Sequence, residues 1–169
     1  METIVIQKDK HNFKEYNDFK WLLQARVKQE SRPMLNCVGV FKHRAVCTDG
    51  HRLYMILHSG FAPGNYKVVS SDKSSIVLQI MSPEEGTFPE VVRVFPKKKV
   101  KSIKVNDSKV PGSQYTNIVR AMPEDQTLNY DYFSQTLTPE PWTVRITPDG
   151  GPVRFQNSGK SALIMPARI

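Results

Sequence analysis

The chain has 169 residues, 39% of them hydrophobic and 24% charged, a balance that fits one folded globular unit and excludes a largely disordered chain. Lys and Arg number 24 against 16 Asp and Glu, and the net charge of +8 produces a field that draws polyanions such as nucleic acid. No apolar run is long enough to cross a bilayer, and the start, Met1-Glu2-Thr3-Ile4-Val5-Ile6, lacks the pattern of a signal peptide, so we expect a cytoplasmic protein with no membrane partner. Cys37 and Cys47 are the two thiols. Without Cys-x-x-Cys or a spaced His/Cys set, they read as small buried residues rather than as a disulfide or a metal site.

Thr3 to Gln7 alternates and is rich in β-branched residues, which predicts a strand. A helix should follow, capped by Asn12 with Glu15 reaching back as in a capping box, and with Tyr16, Phe19 and Leu23 facing the core. Lys20, Gln24 and Lys28, four apart, share another face, which reads as an ordinary solvated stripe. Beyond Arg32-Pro33, where proline disfavours helix, Leu35 to Phe41 and Arg44 to Thr48 read as strands. Asp49-Gly50 supplies the positive-φ residues of a tight turn, and His51 to Leu57 returns as a further strand. A helix laid on one face of an antiparallel sheet buries this order.

Tyr66 to Ser70 and Ile76 to Met81 read as strands, or as a strand and a short helix. Lys97, Lys98, Lys99, Lys101 and Lys104 lie between Pro96 and Pro111, a basic stretch with too few apolar residues for a core, expected as an exposed loop or edge. A short helix is expected around Tyr130 to Leu137. Trp142, Val144 and Ile146 alternate with Thr143, Arg145 and Thr147, and Val153 and Phe155 with Arg154 and Gln156, while Ser161 to Ala167 forms a last strand. Both ends thus carry a helix followed by antiparallel strands.

Three stretches together resemble the bacterial DNA polymerase III beta subunit, the DNA sliding-clamp family. Leu35-Asn36 followed by Thr48-Asp49-Gly50-His51-Arg52-Leu53 is similar to a Leu-Asn strand and Thr-Asp-Gly-His-Arg-Leu hairpin of the family's middle domain. Gly86-Thr87-Phe88-Pro89-Glu90-Val91-Val92-Arg93-Val94-Phe95-Pro96 resembles its Gly-x-Phe-Pro-Asp-x-x-Arg-Val-Leu-Pro segment. Ala162-Leu163-Ile164-Met165-Pro166-Ala167-Arg168-Ile169 resembles its carboxyl terminus, Tyr-Val-Val-Met-Pro-Met-Arg-Leu. The resemblance covers 1–96 loosely and 127–169 well.

The fold this implies is α+β, a DNA-clamp-like domain whose antiparallel sheet carries one or two helices on one face, in two βαβββ-like halves. A single domain over 1–169 is expected, with a first half at 1–60, a variable region with the basic stretch at 61–126, and a second half at 127–169. In the family these stretches surround a pocket that receives a short peptide, Gln-x-x-Leu-x-Phe or similar, from polymerases, loaders and repair proteins. Carried over, the pocket comprises Thr48, Gly50, His51, Arg52, Leu53, Pro89, Arg93, Val94, Leu163, Met165, Pro166 and Arg168. Leu, Val, Pro and Met would form its apolar floor, and Arg and His would donate to the peptide. Ala167 stands where the family has Met, which leaves one wall shallower.

The resemblance further implies double-stranded DNA as a partner, with Lys20, Arg26 and Lys28 on the first helix touching phosphates and the lysines from Lys97 to Lys104 beside them. The family closes its ring from three domains per subunit and two subunits, so ring closure here requires a homo-oligomer. The expected function is a clamp-like processivity or tethering protein for a polymerase or another peptide-bearing protein. Its alternative is a non-ring module of phage or mobile-element origin that mimics or diverts the clamp's peptide binding. Asp49, His51 and Asp72 offer the residue types of a hydrolase or metal cluster, but turn geometry explains Asp49-Gly50, and no nucleophile elbow, Walker loop or zinc spacing occurs. We therefore expect no enzyme activity, no cofactor and no metal.

Overall fold

The alternation of the first residues produces β1 (Thr3–Gln7), which buries Ile6 and leaves Val5 exposed. The computed structural model describes residues 2–28, 31–91, 94–95, 101–105 and 111–169, in two units, Met1–Pro89 and Glu90–Ile169. The division between them falls inside the connecting region expected at 61–126.

In the first unit, α1 (Phe13–Leu22) follows β1 and continues as one 3-10 turn, Leu23–Ala25. Tyr16, Phe19 and Leu23 are buried as their spacing requires. The capping box is absent: Asn12 makes no side-chain cap. Asp9 instead shapes the turn before the helix, its Oδ1 accepting the backbone N–H of His11 and Asn12, each at 2.8 Å, as Asp side chains do in turns. The expected strand from Leu35 begins only at Cys37, because Pro33–Leu35 closes a 3-10 turn.

Five more strands complete this unit: β2 (Cys37–Phe41), β3 (Arg44–Thr48), β4 (Arg52–Leu57), β5 (Gly64–Ser71) and β6 (Ser75–Ile80). They run antiparallel in the order β1-β6-β5-β2-β3-β4. One sheet face carries Ile6, Leu78, Tyr66, Val38, Ala45, Ile56 and Tyr54, all buried, and α1 packs there, against β1, β4 and β6. Trp21 stacks on Tyr54, with centroids 4.3 Å apart and planes at 12°. Cys37 and Cys47 are buried free thiols, and burial pushes Cys37 up to about 12 and Cys47 further up.

His58 is wedged beside α1. Its side chain is 8% exposed and lies against the rings of Phe19 and Phe61 at 5.3 and 4.2 Å, while Nε2 is buried without a partner. Burial pulls its pKa below the ordinary 6.5, and Glu15, 3.6 Å from Nδ1, partly opposes this. The unfolded chain therefore binds this proton more readily, so the stability present above about pH 6.5 falls as pH drops below it. The melting temperature should decrease between about pH 7.5 and about pH 5.5, and decrease less in His58→Gln. Equal decreases in both proteins would exclude His58 as the source.

The second unit contains β7 (Lys101–Val105), α2 (Pro111–Arg120), β8 (Gln126–Thr127), α3 (Tyr130–Thr136), β9 (Trp142–Ile146), β10 (Val153–Gln156), β11 (Lys160–Ile164) and β12 (Ala167–Arg168). Its sheet runs β11-β10-β9-β7, antiparallel, and β12 pairs with β8. Part of the basic stretch is thus an edge strand, β7. α2 was not expected, and the last strand breaks at Met165-Pro166, with β12 leaving to join β8. Asn129 caps α3, accepting the Tyr132 N–H at 3.0 Å. Phe133 of α3 packs 6.1 Å from Phe155, whose cross-strand neighbours are Val144 and Ala162. α3 therefore covers the Phe155 face.

Each unit contains the same succession. β1, α1 and β2 to β4 form a βαβββ run, and β7, the helices α2 and α3, and β9 to β11 form a second. The fold is the expected α+β arrangement, antiparallel sheet with helices on one face. No helix among the described residues is long and apolar enough to cross a membrane.

Candidate functional site

The hairpin between β3 and β4 is shaped by Asp49. Its Oδ1 accepts the N–H groups of His51 and Arg52, each at 2.9 Å, and its Oδ2 accepts Arg52 Nε at 3.1 Å. Thr48 Oγ1 donates to the Arg52 carbonyl at 2.6 Å and accepts the Gly50 N–H at 3.1 Å. Within the hairpin it is Gly50 that has positive φ, at +92°, and no non-glycine residue among those described does. Asp49 serves the turn by side-chain hydrogen bonds rather than by the positive φ expected of it.

Arg52 does not point outward. Besides Asp49, its guanidinium donates from Nη2 to the Gln24 carbonyl and lies 5.4 Å over Tyr54, forming a pile of Arg52, Tyr54 and Trp21. His51 of the same hairpin is exposed. Thr48 and Leu53 are directly opposite each other and share with Gly39, Val46 and Met55 the face that α1 does not cover. Phe88 lies on that same face, against Gly39, and Pro89 beside it is exposed. The first unit thus sets the Phe-Pro segment and the hairpin on one helix-free surface.

In the second unit Leu163 is paired with Arg154, again on the helix-free face. The Arg154 guanidinium sits 5.1 Å over Phe95. Met165 follows β11 with 45% of its surface exposed, and Val94 and Ile169 are exposed as well. Pro166 is half-buried, and Arg168 is exposed on β12 opposite Gln126. Ala167, which stands where the resembled family has Met, is also exposed.

Several predicted residues do other work or lie outside what is described. Arg93, Lys97, Lys98 and Lys99 are outside the described residues. Lys20 Nζ donates to Ser71 Oγ and to the Asp72 carbonyl, both at 3.1 Å. Arg26 is half-buried and donates to Asn36 Oδ1, with Nε buried and unpartnered; burial lowers its pKa. Lys28 is exposed but lies past the helix end, so it no longer shares a helical stripe with Lys20. Lys101 and Lys104 are exposed on β7. Asp72 closes its own turn and forms no cluster with Asp49 and His51 among the described residues. Its carboxylate accepts Ser74 and Ser75 N–H groups at 2.7 and 2.8 Å, which hold its pKa down to about 2.

The sequence reading missed Asp49 as the hairpin's organiser, Phe88 as the plug on Gly39, and Arg154 with Phe95. A glycine in mid-strand is the signal for Phe88, since it marks a close approach.

No family model matches the chain, and no curated protein matches it. Solved structures do. The DNA polymerase III beta subunit of Thermotoga maritima aligns at TM-score 0.66 with 12% identity, over 99% of this chain and 65% of that one. The beta chain from Streptococcus pneumoniae aligns at 0.64 with 15% identity, over 100% and 65%. The Helicobacter pylori beta clamp bound to a DNA ligase peptide aligns at 0.62 with 13% identity, over 100% and 67%. The fold is that of the bacterial sliding clamps, and the chain spans about two thirds of the length of these clamp chains.

Proposed function

We propose that this chain is a non-enzymatic, clamp-like tethering protein of DNA replication or repair in the cytoplasm. It binds the short peptide of a polymerase or another DNA-metabolism protein. The observation that carries this reading is the clamp fold over essentially the whole chain, shared with a clamp solved with a DNA ligase peptide. The residues proposed for the peptide's Leu and aromatic anchors are Leu53 and Pro89 in the first unit and Val94, Leu163, Met165 and Pro166 in the second, with His51 and Arg168 proposed as donors. Thr48, Gly50 and Arg52 hold the hairpin in shape. Duplex DNA and a ring of several copies belong to the same proposal, with the exposed Lys28 toward the phosphates.

A fluorescein-labelled Gln-x-x-Leu-x-Phe peptide titrated against the protein tests the reading. The parent should bind saturably, and Met165→Asp and Leu53→Asp should each weaken binding about tenfold or more. Met165 is exposed, so its variant keeps the fold and decides the matter: unchanged binding in Met165→Asp would end the peptide-receptor reading. Light scattering on the same sample separates the two forms of the proposal. An assembly of several copies supports the ring, and a peptide-binding monomer supports a module that diverts clamp-binding peptides.

A further inference from the structure

We propose that the helix-free face of the second unit's sheet binds the phosphodiester backbone of nucleic acid through Lys104, Arg145 and Arg154. This site lies apart from the helix lysines considered above and does not rest on the peptide reading.

The strand register makes the patch. Arg154 of β10 is directly opposite Arg145 of β9, and Lys104 of β7 is opposite Thr143, next but one to Arg145. The Phe155 face of the same strands is occupied by α3, so these side chains emerge on the other side. A hollow of about 460 Å³ opens there, lined chiefly by Lys104, Thr143, Arg145, Gln156, Asn157 and Ser158. Among the described residues, none that lines it is Asp or Glu.

Like charges placed directly across a ladder repel and weaken the sheet, and among the described residues no carboxylate is paired with Arg145 or Arg154. Arg145 Nη1 donates to the neutral Gln156 Oε1 at 3.0 Å. Arg154 rests on Phe95, with Nε buried and unpartnered, and its pKa is lowered by burial and by Arg145. An anion would relieve this repulsion, and every side chain named around the hollow can donate to one.

The spread of the cations selects the kind of anion. They stand on three neighbouring strands, so they span about 10 Å across the sheet, too wide for one phosphate and suited to successive phosphates of a chain. Trp142 borders the hollow but is only 2% exposed, so it offers no stacking platform to bases. Contacts would therefore be to the backbone and independent of sequence. In sequence, β7 also follows Lys97, Lys98 and Lys99.

Fluorescein-labelled single- and double-stranded oligonucleotides of mixed sequence, titrated at several salt concentrations, test the proposal. The parent should bind one or both with an affinity that falls as salt rises. Lys104→Gln/Arg145→Gln should bind about tenfold or more weakly at low salt, with the slope of log affinity against log salt smaller by about 1.5 to 2. Ser158→Glu, at an exposed turn position, should weaken binding several-fold without touching a strand, which covers the case of a misfolded double variant. Met165→Asp should leave oligonucleotide binding unchanged, so this site and the peptide site fail separately. Parent-like affinity in both Lys104→Gln/Arg145→Gln and Ser158→Glu would overturn the proposal. So would tighter binding of a glutamate-rich peptide than of oligonucleotide, the occupant then being an acidic protein segment.

Discussion

Asp49→Ala should destabilise the first unit by about 3–5 kcal/mol, the range for breaking one side of a buried ion pair. Asp49 and Arg52 are 13% and 9% exposed at the side chain, so solvent screens little of their interaction. Removing the carboxylate leaves the Arg52 guanidinium buried beside Tyr54 and deprives two backbone N–H groups of their acceptor. Asp49→Asn separates these contributions. Its amide oxygen can still accept both N–H groups but carries no charge, so a loss of about 1.5–3 kcal/mol is expected. Urea denaturation followed by circular dichroism reads both values. If Asp49→Ala unfolds at the parental midpoint, the ion pair does not hold the hairpin.

The parts of the fold legible in sequence were those where one physical pattern acts alone. Trp142-Val144-Ile146 and Val153-Phe155 alternate because one sheet face meets helices and the other does not. The same alternation put Arg145 and Arg154 on the outer face, although nothing in it showed that they would stand opposite each other. That opposition is a matter of strand pairing, which arises between segments. α2 escaped because its buried stripe is thin: Ile118, followed by Met122 just past the helix, is interrupted by Gly112, Thr116 and Asn117. Pro111 at its first position was the available signal.

The candidate site was legible to a different degree. Its positions could be named from motifs, but a motif does not reveal which way a side chain turns. Arg52 was expected to offer donors and instead spends them on Asp49 and Gln24. Arg26 turns toward Asn36. In both cases a part-buried carbonyl, amide or carboxylate holds the guanidinium in competition with any ligand in water. Met165 and Arg168 are exposed because the chain leaves β11 at Pro166, which has no N–H to continue the ladder.

Gly39→Val should cost about 3 kcal/mol in the parent, as forced overpacking does, although valine is ordinarily the better strand residue. A Cβ at position 39 would lie 2.8 Å from Phe88 Cγ and 2.9 Å from Cδ1, closer than carbon atoms approach without displacement. The ring has to leave the strand, and its burial is then lost. Phe88→Ala alone should cost a similar amount, about 3–5 kcal/mol, because the space over Gly39 is left empty. In the Phe88→Ala background the sign for position 39 changes. With no ring to meet, valine adds apolar contact and removes the backbone entropy that glycine loses on folding, so Gly39→Val should be neutral or stabilising there. A double-mutant cycle by urea denaturation measures the coupling directly. Additive losses in the two single variants would mean that Phe88 does not rest on Gly39, and the Phe-Pro segment would then have no anchor on the face that carries Leu53.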